Sequence, residues 1–133
     1  MGDFPELMHT AIDAPDAWEL AEFYRQLLGL HYRGEGPSED ADWIVLLDDA
    51  GRRVLTVQLK PDMKRSTWPS EEVPMQMHMD FEVPSVSELE RHRERAEALG
   101  ATVVMDRTSD PDEPLYVLTD PAGHPFCLLA VSR

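Results

Sequence analysis

At 133 residues and 15.1 kDa, the chain is long enough for one domain with a real core and too short for two of ordinary size. Its formal charge of −14 is spread along the sequence without any basic stripe; such a surface repels nucleic acid and anionic membranes and favours a neutral or cationic small molecule as ligand. A hydrophobic content of 42% argues for a globular fold, and neither a membrane-length apolar run nor a basic-then-apolar leader is present, so the expectation is a cytoplasmic protein whose one cysteine, Cys127, forms no internal disulfide.

The first predicted element is a strand in ELMHTAID. A helix follows, because Ala17, Leu20, Ala21, Tyr24, Leu27 and Leu28 recur at helical spacing and Gly29 stops the run. Pro15 suits the first turn of that helix. LHYRGE, ADWIVLLDD and RRVLTVQLK read as three strands, with the turn DDAG between the last two. Residues 61–74, PDMKRSTWPSEEVP, are proline-rich and aperiodic, and read as a linker. QMHMDFEVP then opens as a strand, with Met77, Met79, Phe81 and Val83 on an apolar face and His78, Asp80 and Glu82 on the other. SVSELERHRERAEALG reads as a helix: Ser85 and Glu88 match a capping box, Val86, Leu89, Ala96 and Leu99 form the stripe, and Gly100 ends it. ATVVMDRT, LYVLTD and HPFCLLAV are the last three strands, with the turn DPAG before the final one.

The order strand, helix, three strands therefore occurs twice, in modules 5–60 and 75–133. His9 and His78, Pro15 and Pro84, and Gln58 and Cys127 all stand 69 residues apart, and the helix-stop glycines 71 apart. Strand parity puts His9, Ala11 and Asp13 on one face and Met8, Thr10 and Ile12 on the other. Thr56, Gln58 and Lys60 alternate likewise with Leu55, Val57 and Leu59, and Cys127 and Leu129 with Phe126 and Leu128. Helices cover the apolar faces of such sheets, so His9, Gln58, His78 and Cys127 are expected to face one cavity on the side away from the helices. The predicted class is α+β. Free sheet edges need a cover, and a second copy of the chain, giving a homodimer, supplies one.

HTAIDAPD, FYRQLLGL, HMDFEVPS, AEALGA and DPAGHPFCLL, set in a doubled βαβββ frame with a histidine in each first strand, resemble the vicinal oxygen chelate superfamily. That group includes glyoxalase I, extradiol dioxygenases, and bleomycin and fosfomycin resistance proteins. TWP and GHPFC are similar to its glyoxalase-like branch. The resemblance spans nearly the whole chain and implies two modules forming a concave mixed sheet cleft, backed by helices. It also implies, for metal-binding members, a divalent ion (Zn, Fe, Mn, Ni or Mg) held from the first and last strands of each module. His9, Gln58 and His78 stand at ligand positions, and the fourth position, usually glutamate, is Cys127. Two imidazoles and an amide bring no negative charge to such an ion. A thiolate would, and is a good zinc ligand. A cysteine between Phe126 and Leu128 equally suits a small apolar core residue.

Asp80 and Glu82 share the parity of His78 and are candidates for moving a proton; a solvated acidic face explains them as well. Trp43 and Trp68 suit the walls of a site for a flat organic ligand, with packing of the linker as the other role for Trp68. His124, after the DPAG turn, suits a turn or cleft-rim position. No phosphate-binding glycine loop and no serine elbow is visible, and Cys127 has no basic sequence neighbour to activate it as a nucleophile. The expected function is a small-molecule binding protein or enzyme of the glyoxalase and bleomycin-resistance type. The alternative is a metal-dependent lyase, isomerase or dioxygenase.

Overall fold

The structure, a computed structural model, describes residues 2–131 and contains two compact units that divide after Met63. In the first, the elements are β1 (Thr10–Ala14), α1 (Ala17–Leu28), β2 (His31–Tyr32), β3 (Trp43–Leu47) and β4 (Arg53–Leu59). The sheet order is β1-β4-β3-β2; β1 runs parallel to β4 and the other pairs are antiparallel. Asp16 caps α1, its carboxylate accepting the Glu19 N–H at 3.0 Å, and Gly29 ends the helix at φ 67. Pro15 thus stands one residue ahead of the cap, outside the first turn. The helix buries Ala17, Leu20, Ala21, Phe23, Tyr24 and Leu27 and packs on β1, β3 and β4. Each of the large members contributes about 1.5–3 kcal/mol by leaving water. Register places Ile12 beside Val57, Val57 beside Ile44, and Leu55 beside Leu46, which makes the apolar face of the sheet. Ala11, Asp13, Thr56, Gln58, Trp43 and Val45 share the opposite face.

The second unit repeats this topology with β5 (Met79–Val83), α2 (Val86–Ala98), β6 (Thr102–Arg107), β7 (Leu115–Thr119) and β8 (Pro125–Ala130), in the order β5-β8-β7-β6. The predicted α+β class of two βαβββ modules is therefore the observed one. Ser85 caps α2 by accepting the Glu88 N–H. The predicted apolar stripe is thinner than its spacing suggests, because Val86 is exposed and only Leu89 and Ala96 are buried. A polar clamp supplements them. Arg93 bonds Glu90 and Glu97 and lies 5.6 Å over the Tyr116 ring, while the Tyr116 hydroxyl donates to Glu90.

Both predicted turns form in the same way. The Asp48 carboxylate accepts the N–H groups of Ala50 and Arg52, and that of Asp120 accepts those of Ala122 and His124. Gly51 and Gly123 supply the positive φ each turn requires.

Several expectations need correcting. His9 and His78 each stand immediately before their strands, and the second strand begins only at Met79, because Gln76 adopts φ 59. Met77 is consequently 78% exposed and outside the core, and Phe81, expected to be buried, is half-buried against Phe126. Met8 is likewise exposed. Residues 64–74 lie on the second unit: Arg65 donates to the Pro121 carbonyl, Thr67 and Val73 bond each other, and Trp68 packs beside Cys127.

Candidate functional site

In the second unit the face opposite the helix is partly apolar. Leu115, Val117 and Cys127 form a buried cluster against which Trp68, Met75, Met105 and Leu129 pack. Cys127 is only 7% exposed, so of the two sequence readings the core role is met. Burial pushes its thiol up to about 12, and the hydrogen bond to Asp80 adds to the rise. At the rim of the cluster, His78 Nε2 lies 3.2 Å from Asp80 Oδ1. The donor atoms of His78, Asp80 and Cys127 all fall within 4.8 Å of one another, and no other group of three His, Cys, Asp or Glu residues is so placed among the described residues. Parallel pairing of β5 with β8 explains this, since it sets Asp80 directly beside Cys127 and His78 two residues before Asp80 on the same strand face.

The remaining candidates of this unit have other surroundings. Glu82 lines a shallow groove of about 380 Å³ with Val83, Pro84 and Val131 and is outside the three-residue cluster. The backbone of His124 closes the DPAG turn through Asp120. Trp68 packs on the Cys127 cluster, the role set beside ligand contact at the outset.

In the first unit His9 meets Trp43 edge to face, with ring centres 6.1 Å apart. Trp43 is 43% exposed and pairs across the sheet with Gln58, itself exposed. Buried His9 Nδ1 and Thr56 Oγ1 have no hydrogen-bond partner. Buried polar atoms are almost always paired; besides these two, only Arg93 Nε in the second unit is likewise unpartnered among the described residues. Thr56 was not among the expected site residues. Its signal in the sequence was a polar residue in the middle of VLTVQL, on the parity of Gln58.

Strand pairing corrects the equivalence of Gln58 with Cys127. Thr10 pairs with Leu55 as Met79 pairs with Phe126, and Ala11 with Thr56 as Asp80 with Cys127. The counterpart of Cys127 is therefore Thr56, and that of Gln58 is Leu129. The difference of two residues is already present at the helix-stop glycines, which stand 71 apart, so it arises before the last strands; Val54 marks a separate shift in the β3–β4 register. His9 and His78 remain equivalent, but the trio His78, Asp80 and Cys127 is matched in the first unit by His9, Ala11 and Thr56.

Two βαβββ units, each with a histidine at the entrance to its first strand, define an α+β protein of the glyoxalase type. The sequence matches the Glyoxalase-like domain family over residues 9–129, and the chain belongs to that family. No curated protein matches it. Among solved structures it is similar to a glyoxalase/bleomycin resistance protein/dioxygenase family enzyme from Burkholderia phytofirmans PsJN (18% identity, TM-score 0.69, 96% of this chain and 99% of that one). It is also similar to a glyoxalase/bleomycin resistance protein from Albidiferax ferrireducens T118 (19%, TM-score 0.62, 93% and 97%). A third is the fosfomycin resistance protein FosX from Listeria monocytogenes in complex with Mn(II) and sulfate (18%, TM-score 0.66, 96% and 93%). At these identities the likeness is one of fold. No helix among the described residues is long and apolar enough to cross a membrane.

Proposed function

We propose that this chain binds a small organic molecule, as a binding protein or enzyme of the glyoxalase and bleomycin-resistance type, and that it works as a cytoplasmic homodimer. The observation that carries the ligand reading is in the first unit: an exposed Trp43 stands beside His9, whose Nδ1 is buried and unpaired, with Thr56 Oγ1 also unpaired. An aromatic plate for a flat ligand next to polar atoms that still need partners is the usual make-up of a small-molecule site. Gln58, exposed and paired with Trp43 across the strands, adds a group able both to donate and to accept. Ligand contacts from His78, Trp68 and His124, and proton transfer by Asp80 or Glu82, belong to the same proposal. The test is a titration of small organic molecules, fosfomycin and bleomycin among them, followed by tryptophan fluorescence and calorimetry. A binder should lose about tenfold or more in affinity in both Trp43→Ala and His9→Ala. Binding that is indifferent to both substitutions overturns the reading.

The second reading is a reaction that depends on a divalent metal, favoured by the Mn(II) bound to the structurally similar FosX. Such an ion polarises an oxygen of the bound molecule. His9, Gln58 and His78 are the donors implied by the resemblance; all three are neutral when they coordinate, so their fit to a dication rests on charge supplied by the ligand.

A further inference from the structure

We infer that the site around Trp43 takes a flat aromatic molecule bearing a cationic nitrogen group, and that Asp13 is the residue that selects this charge. The inference rests on the organic-ligand reading and adds to it the class of ligand. Register puts Asp13 beside Gln58 and Gln58 beside Trp43, on the sheet face opposite α1. Three adjacent strands thus present a carboxylate, an amide and an indole in one row. Neighbouring strands lie about 4.8 Å apart, so the row is roughly 10 Å long, the length of a bicyclic ring system with a short polar end group. Trp43 is 43% exposed, Gln58 and the neighbouring Ala11 are exposed, and Asp13 is half-buried, so the row is open to a ligand along its length.

The counterpart row of the second unit is Glu82, Leu129 and Leu115. There the chain itself supplies the flat group, since Trp68 packs on Leu115, Val117 and Cys127. Those three positions correspond to Trp43, Val45 and Thr56, so a face of this shape already seats an indole once in the molecule. In the first unit the row is polar at Gln58 as well as at Asp13, which suits a ring with a polar end. The charge at that end follows from its side chains. Lys60 shares the strand face of Gln58, and its ammonium lies in the field of Asp13. It is also held by Asp62, Nζ to Oδ1 at 3.0 Å. Two carboxylates against one ammonium leave the end of the row negative, which attracts a cation and repels a carboxylate or phosphonate. Asp13 accepts from the cationic N–H groups, Gln58 Oε1 accepts another, and the aromatic frame lies on Trp43.

The probes are 2-naphthamidine, 2-naphthamide and 2-naphthoate, which share one flat frame and are cationic, neutral and anionic near neutral pH. Each is titrated into the full chain by calorimetry. The amidine should bind about tenfold more tightly than the amide, with naphthoate the weakest. Asp13→Asn should bring the amidine down to the affinity of the amide. Lys60→Gln, which removes the opposing cation, should tighten the amidine further. Glu19→Gln removes an equal charge from an exposed position on α1, on the other side of the sheet, and should change none of the three affinities. That control separates contact at Asp13 from the field of the whole chain. Trp43→Ala should weaken all three probes, which tests the organic-ligand reading itself. Circular dichroism identifies any variant that fails to fold; the ranking of the probes on the unmodified chain and the effect of Lys60→Gln keep the test decisive if Asp13→Asn is lost. Probes that bind equally yet depend on Trp43, or an amidine advantage that survives in Asp13→Asn, overturn the charge assignment and leave the organic-ligand reading standing. Binding by none of the three overturns both.

Discussion

Cys127 shows what a residue's type conceals until its neighbours are known. Its sequence context gave two readings, ligand and core, and the sequence offered no means to choose, because Leu115, Val117, Met75 and Trp68 reach it only through pairing and folding-over. The two histidines were legible, since each opens a module at the same phase. Thr56 was not: a threonine in a strand is ordinary, and its unpaired hydroxyl appears only once the strand is buried. The thiol has a measurable consequence. With its ionisation raised from 9.0 to about 12 by burial, then by Asp80, the native state keeps a proton that the unfolded chain gives up first. This contribution to stability is whole below about pH 9 and is lost as pH climbs through 12, at up to about 1.4 kcal/mol per pH unit. Metal-free native protein at pH 8 should hold about 10⁻⁴ of Cys127 as thiolate and react with a disulfide reagent only after unfolding. Rapid labelling of folded protein, or alkaline melts identical in wild type and Cys127→Ala, refutes this.

At the scale of elements, helices and turns were the clearest part of the sequence, because a cap, a stripe and a stop glycine are local. What escaped was non-local. The second module carries two more residues between its first strand and its helix-stop glycine, so counting along the chain matched Gln58 to Cys127 where pairing matches it to Leu129. Tyr116 stands 26 residues from Glu90, so its contacts with Glu90 and Arg93, which help seat α2, gave no periodic signal. The two aspartate turns are alike in sequence and bonding but differ in burial. Asp120 is 1% exposed, whereas Asp48 is half-buried and the N–H groups it serves lie in an exposed loop. Removing each carboxylate therefore has unequal effects. Asp120→Ala strands the Ala122 and His124 N–H groups away from water and should cost about 2–4 kcal/mol; Asp48→Ala leaves its donors to solvent and should cost about 1 kcal/mol or less. Asp120→Asn retains an acceptor oxygen and should recover most of the loss. Denaturant unfolding of the three variants measures it, and equal losses at Asp48 and Asp120 contradict the assignment of burial as the cause.

For the whole molecule, charge and exposed apolar surface act against each other. Phe4, Leu7 and Met8 are 83%, 84% and 63% exposed and lead into β1, a strand at the edge of its sheet. Exposed apolar side chains leading into an edge strand are surface that a second copy could cover with gain. Each copy also brings a formal charge of −14, so association must overcome repulsion between like-charged surfaces. Salt weakens that repulsion while leaving the apolar contact nearly untouched. Raising ionic strength from about 0.01 to about 0.15 M shortens the screening length from about 30 to about 8 Å. The proposed homodimer should therefore tighten as salt is added, opposite to a dimer held by ion pairs. Light scattering or sedimentation at micromolar concentration across that range should show the dimer fraction rising. Leu7→Asp, which puts one more negative charge into the apolar cover, should leave monomer at every salt concentration with an unchanged melting temperature for the monomeric fold. A chain that is monomeric throughout, or a dimer that salt dissociates, means that this face is not the one that joins two copies.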